Sequence, residues 1–133
     1  MQSRAKDGGG DSRPVLVVDD NADARGNLRD MLEDLGQCVV EAGDGQEALD
    51  FLLSSPAVHV QLILLDLDMP RMTGWDLLRL LKSYSRFSGI PVLIVSRYLS
   101  SFGAKDRAVV DGCIEAPTEL AKLRAMVQAF VEH

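Results

Sequence analysis

The feature that most restricts the fold is the stretch Leu62-Ile63-Leu64-Leu65-Asp66-Leu67-Asp68-Met69-Pro70-Arg71-Met72-Thr73-Gly74, in which four consecutive aliphatic residues run straight into an acid. So short an unbroken aliphatic run reads as a strand buried on both faces, as in parallel sheets. Asp66 then stands where the strand leaves the sheet, the edge at which open α/β folds place their sites. Pro70 cannot donate to a ladder and ends the strand. Gly74 frees the backbone ahead of the next helical pattern.

The same arrangement recurs along the chain. Val15-Leu16-Val17-Val18 ends in Asp19-Asp20. Asn21 suits a helix cap, with Leu28, Met31, Leu32 and Leu35 on one face and Gly36 as the stop. Cys38-Val39-Val40-Glu41 is a short strand. Asp44 and Glu47 have capping-box spacing ahead of a helix carrying Ala48, Leu49, Leu52 and Leu53, which Ser54-Ser55-Pro56 ends. A helix from Trp75 to Tyr84, with Leu77, Leu78 and Leu81 inward, follows the central run. Pro91 to Val95 is a further strand, ending in Ser96-Arg97. The stretch Tyr98 to Asp111 is weakly helical and is interrupted by Gly103. Cys113-Ile114-Glu115 is the last strand, and Ala116-Pro117-Thr118 turns into a closing helix with Leu120, Leu123, Val127, Phe130 and Val131 on one face.

Strand and helix thus alternate five times, which implies a parallel sheet with helices on both faces. Parallel strands share one C-terminal edge. Asp19, Asp20, Asp66, Ser96 and Ala116, distant in sequence, are therefore expected to converge there.

Composition narrows the partners. The chain of 133 residues suits one domain with a real core. Its 14 basic and 20 acidic residues give a net charge of −6, which disfavours nucleic acid as a direct partner. No stretch is long and apolar enough to cross a membrane. Cys38 and Cys113 lie in short apolar stretches and read as buried thiols of a reducing cytosol, which makes the expected location cytoplasmic. Residues 1–13, with Gly8-Gly9-Gly10, read as a flexible tail or linker remnant, and residues 14–133 as the folded domain.

Three carboxylates at one edge repel one another and invite a divalent cation, and hard oxygen ligands suit Mg²⁺. A carboxylate beside Mg²⁺ is a competent nucleophile toward a phosphoryl group, because the metal neutralises charge on the transferring oxygens. Ser96 offers a hydroxyl to a phosphoryl oxygen. Taken alone, Asp19-Asp20 reads equally well as a strand end followed by a helix cap.

Taken together, Val17-Val18-Asp19-Asp20-Asn21, Glu41-Ala42-Gly43-Asp44-Gly45-Gln46-Glu47-Ala48-Leu49, the stretch from Leu65 through Gly74 to Trp75, and Pro91-Val92-Leu93-Ile94-Val95-Ser96 make a chain that resembles the receiver domain of two-component response regulators, from about Pro14 to Val131. The resemblance implies a doubly wound, flavodoxin-like (βα)5 fold with a five-stranded parallel sheet in the order 2-1-3-4-5. It implies Asp66 as phosphoacceptor and Ser96 as switch hydroxyl. Mg²⁺ would be held directly by Asp20, Asp66 and the backbone carbonyl of Asp68, with Asp19 acting largely through water. The donor would be a phosphohistidine on a sensor histidine kinase or phosphotransfer protein. An output partner protein would dock near the Asp66 edge or on the face of the last two strands and helices, and some receivers form homodimers through that face.

The chain departs from the family pattern at a few positions. Ala116 stands before Pro117, where a lysine that contacts the phosphoryl group is usual, and Cys113 stands where Tyr or Phe is usual. Arg97 stands where a small residue is usual. A charge-assisted contact contributes roughly 1.5–3 kcal/mol, so losing one in the transition state slows transfer about ten- to a hundred-fold. Arg97, or alternatively Lys105, is a candidate substitute cation, and Tyr98 a candidate moving ring. The departures leave open a degenerate receiver that serves as a phosphorylation-independent docking domain. In the receiver reading, chemistry is limited to self-phosphorylation and autodephosphorylation. Asp66-Leu67-Asp68 also resembles the opening of the haloacid-dehalogenase-type phosphatase motif, but Pro70 occupies a position where that motif wants Thr or Val.

Overall fold

The computed structural model describes residues 13–54, 59–67, 69, 72–96, 103–115 and 120–131. Five strands and five helices alternate: β1 (Val15–Val18), α1 (Ala22–Asp34), β2 (Val39–Ala42), α2 (Gly45–Ser54), β3 (Leu62–Leu65), α3 (Gly74–Ser83), β4 (Val92–Ser96), α4 (Ala104–Arg107), β5 (Gly112–Glu115) and α5 (Leu120–Val131). The strands form one parallel sheet in the order β2-β1-β3-β4-β5, as the resemblance implied.

The period-2 alternation of a strand divides the core in two. Leu16, Val18, Ile63, Leu65, Val92 and Ile94 face one side and pack against Leu49 and Leu52 of α2 and Leu77, Leu78 and Leu81 of α3. Val15, Val17, Leu62, Leu64, Leu93 and Val95 face the other, against Leu28 and Leu32 of α1 and Leu123 and Val127 of α5. The continuous aliphatic runs exist because both faces are covered.

Helix ends follow local chemistry. Asn21 caps α1, its side chain accepting from the Ala24 amide at 2.9 Å, and Gly36 takes a positive φ of 81° just past the helix. Thr73 and Asp76 form a full capping box on α3. At α2, Asp44 accepts from the Glu47 amide at 2.8 Å, but the Glu47 carboxylate reaches past the cap to the Gly43 N–H.

Several expectations need correction. Leu53 is 41% exposed and lies off the buried stripe of α2. Cys38 and Cys113, in no disulfide, are half-buried and not fully buried, Cys38 standing just before edge strand β2 and Cys113 on edge strand β5, packed against the core. Strands β2 and β4 are shifted one residue toward the C-terminus, β5 begins one residue earlier, and α3 stops at Ser83 with Tyr84 extended as its cap. Gly74 has no positive φ. A Cβ there would collide with the Asp66 carbonyl oxygen and lie 2.6 Å from the Leu67 Cα, so glycine is required by close approach. Asp68, Pro70, Arg71, Arg97, Tyr98, Ala116, Pro117, Thr118 and His133 lie outside the described residues.

Candidate functional site

The C-terminal edge of the sheet brings Asp19, Asp20 and Asp66 together, each offering a carboxylate oxygen within 4.8 Å of the others. Two of these residues are tied to the sheet by their own backbone. The Asp66 N–H donates to Val18 O at 2.9 Å, and the Asp19 N–H donates to Ala42 O at 3.1 Å. The acids therefore sit one residue past β3 and β1, which are adjacent strands.

Their surroundings differ. Asp19 is buried and its Oδ1 accepts from the Asn21 N–H at 2.9 Å. Asp66 is half-buried and Asp20 is exposed. Exposure thus rises from Asp19, which the Asn21 amide already engages, through Asp66 to Asp20, the side from which a small hard cation would approach. An all-carboxylate donor set of this size fits Mg²⁺.

Ser96 ends β4, next to β3, and is buried. In register, Leu65 pairs with Ile94, so Ser96 stands two residues along β4 from that pair and Asp66 one residue along β3. Trp75, in the first turn of α3, is half-buried against the core on the α2–α3 side.

Sequence reasoning missed a cationic brace behind the acids. Arg25 of α1 donates through Nη1 to the backbone carbonyl of Asp19 at 2.7 Å, and through Nε to Glu41 of β2 at 3.0 Å. Arg29, one turn on, reaches the second Glu41 oxygen at 2.9 Å. Burial pushes the Glu41 carboxyl up, but the hydrogen bonds from Arg29 and Arg25 outweigh it and hold the group below its ordinary value. The Arg29 guanidinium is raised in turn by its bond to Glu41. The i, i+4 spacing of the arginines was a visible signal, but their partner lies on another element.

His59 is exposed and borders a separate cavity of about 440 Å³ at the opposite edge of the sheet, with Gln61, Arg86 and Phe87.

This fold, with acids clustered beyond β1 and β3, defines a class. The chain belongs to the response regulator receiver domain family, whose model matches residues 15–128. It is similar to the two-component response regulator ORR11 of Oryza sativa subsp. indica, 38% identical over 89 residues, which cover 67% of this chain and 59% of that protein. It is also similar to the chemotaxis protein CheY of Pseudomonas aeruginosa, 39% identical over 83 residues, covering 62% of this chain and 64% of that one. Among solved structures, chemotaxis protein CheY4 of Vibrio cholerae superposes with a TM-score of 0.78 at 27% identity, covering 90% of this chain and 99% of that one. The chain thus spans less than two thirds of these curated relatives' own length. Among the described residues no helix is long and apolar enough to cross a membrane.

Proposed function

We propose that this chain accepts a phosphoryl group on Asp66 from a phosphohistidine of a sensor histidine kinase or phosphotransfer protein, and that the change alters partner binding. The observation that carries this reading is the meeting of three carboxylates at the sheet edge, one of them half-buried at the end of the central strand. An Asp66 carboxylate oxygen attacks phosphorus, the N–P bond breaks, and the imidazole leaves and takes up a proton. Mg²⁺, when bound, supplies neutralisation of the charge on the transferring oxygens. Asp20 and Asp66 would hold it, with the Asp68 carbonyl, and Asp19 would act through water. The Ser96 hydroxyl would bond a phosphoryl oxygen, and Arg97 is the candidate for the charge that Ala116 cannot provide.

One observation favours a second reading, a receiver that docks without phosphorylation. At position 113 there is no ring to turn, and the Cys113 Sγ instead accepts from Arg107 Nη1 at 2.7 Å.

Intact mass after incubation with a small acyl phosphate, with and without Mg²⁺ and beside Asp66→Asn, separates the two. A Mg²⁺-dependent phosphoryl adduct absent from the variant supports the phosphoacceptor reading. A folded chain that gains no adduct from the acyl phosphate or from a histidine-phosphorylated kinase domain sinks it.

A further inference from the structure

The α2–α3 side of the sheet also carries a groove that the acidic site does not use. It holds about 470 Å³ and is lined along α3 by Trp75, Leu78, Arg79 and Lys82, and across from α3 by Lys105 and Val109. The facing helix α4 has four residues, a rise of about 6 Å, against about 15 Å for the ten of α3.

Floor and rim differ in character. Leu78 is buried and Trp75 half-buried, which makes the floor apolar. Val109, at the rim, is 48% exposed and is one of three exposed large hydrophobics among the described residues. Among the described residues three cations and no acid line the groove, in a chain of net charge −6. Arg79 is engaged with Asp76 at 2.6 Å. Lys82 reaches only the Ser88 carbonyl, at 3.4 Å. Among the described residues neither Lys82 nor Lys105 has a carboxylate partner. A solvated lysine alone needs no explanation. Two uncompensated ammonium groups flanking an open apolar floor have the pattern of a recognition groove with anchor pocket and charged rim.

We propose that this groove docks an acidic amphipathic segment of a partner protein. An apolar side chain enters between Trp75 and Val109, and carboxylates meet Lys82 and Lys105. A second copy of the chain is the poorer occupant, because it brings its own net charge of −6. A short acidic segment senses mainly the cations within a Debye length, about 8 Å. The groove shares α4, through Lys105, with the face of the last two strands and helices, but its other wall is α3, and docking here requires no phosphoryl chemistry.

The test is a nuclear magnetic resonance titration of the isotope-labelled chain. The probe is a short helical peptide with leucines at i, i+4 and i+7 and glutamates on its flanks, beside a version with lysines for the glutamates. Saturable amide shifts confined to α3 and residues 103–110, with the glutamate peptide alone, support the proposal. Lys82→Glu with Lys105→Glu should then weaken binding roughly three- to tenfold, and Val109→Asp should weaken it as well. All three side chains are exposed, and an unchanged urea midpoint verifies that the variants fold. Shifts centred elsewhere, no saturation, or equal binding of the lysine peptide overturns the proposal. So do concentration-dependent shifts at these amides without peptide, which would make the occupant a second copy.

Discussion

The Arg25 guanidinium lies 2.7 Å from the backbone carbonyl of Asp19 and is held there by Glu41 from the neighbouring strand. A cation from α1 thus grips the turn that presents Asp19 and Asp20, without touching the open side of the cluster. Removing it should loosen the acid pair. Arg25→Met is expected to cost about 1.5–3 kcal/mol of stability, the worth of a charged hydrogen bond, and to lower Mg²⁺ affinity in a calorimetric titration. Arg25→Lys should recover only part of both, because an ammonium cannot bridge a carbonyl and a carboxylate as a planar fork does. Wild-type Mg²⁺ affinity in Arg25→Met would contradict this role.

Gly74 meets the Asp66 carbonyl so closely that any side chain must displace the backbone at the site. Gly74→Ala should destabilise by about 1–3 kcal/mol, the usual cost of overpacking. Gly89→Ala, where the added atom meets nothing within 4 Å, should stay within about 0.5 kcal/mol. Urea midpoints of the two variants decide the matter, and equal shifts would count against the steric argument.

Neutralising one member of the acidic cluster should stabilise the metal-free protein. Unit charges at the spacing seen here, within 4.8 Å, repel by about 1 kcal/mol in a watery environment. Asp66→Asn is therefore expected to raise the thermal midpoint without Mg²⁺ and to shrink the further rise that Mg²⁺ brings. Two melting curves per variant suffice, and an Asp66→Asn midpoint below wild type in the absence of Mg²⁺ would refute it.

Glu41 makes acid stability partly a property of the arginine brace. Its folded-state value is depressed from 4.5. Its contribution is thus fully present above pH 4.5 and is lost as pH falls through the lower folded value. Glu41→Gln should flatten the acid limb of the stability curve below that pH and leave the shape near neutrality unchanged. Added salt should reduce the difference, since the pair is partly exposed. An unaltered acid limb would show that the brace contributes little.

The fold was legible because its strands are continuous aliphatic runs, a signal that survives without knowledge of neighbours. Leu62 to Leu65 could hardly be anything but buried, and the acids that follow such runs had to meet at one edge. What depends on a partner elsewhere in the chain was not legible. Leu53 matched the helical pattern of α2, yet no layer covers it. Cys113 sits among apolar residues but on an edge strand. The Arg25–Glu41 pair joins residues on different elements. Gln61, whose amide donates to Arg13 O and Gln37 Oε1 across the far edge of the sheet, gave no sign of that clamp. The Thr73-x-x-Asp76 capping box, by contrast, is local and has a legible spacing.

The pleat of β1 has a consequence for how such a chain can vary. Asp19 and Asp20 are the same functional group one position apart, and the alternation of the strand leaves one buried and the other exposed. A single residue inserted within Val15–Val18 would move Asp19 into the exposed place of Asp20 and turn the aliphatic residues beyond the insertion to the wrong layer. The count of residues from the start of the strand to the acids is effectively quantised.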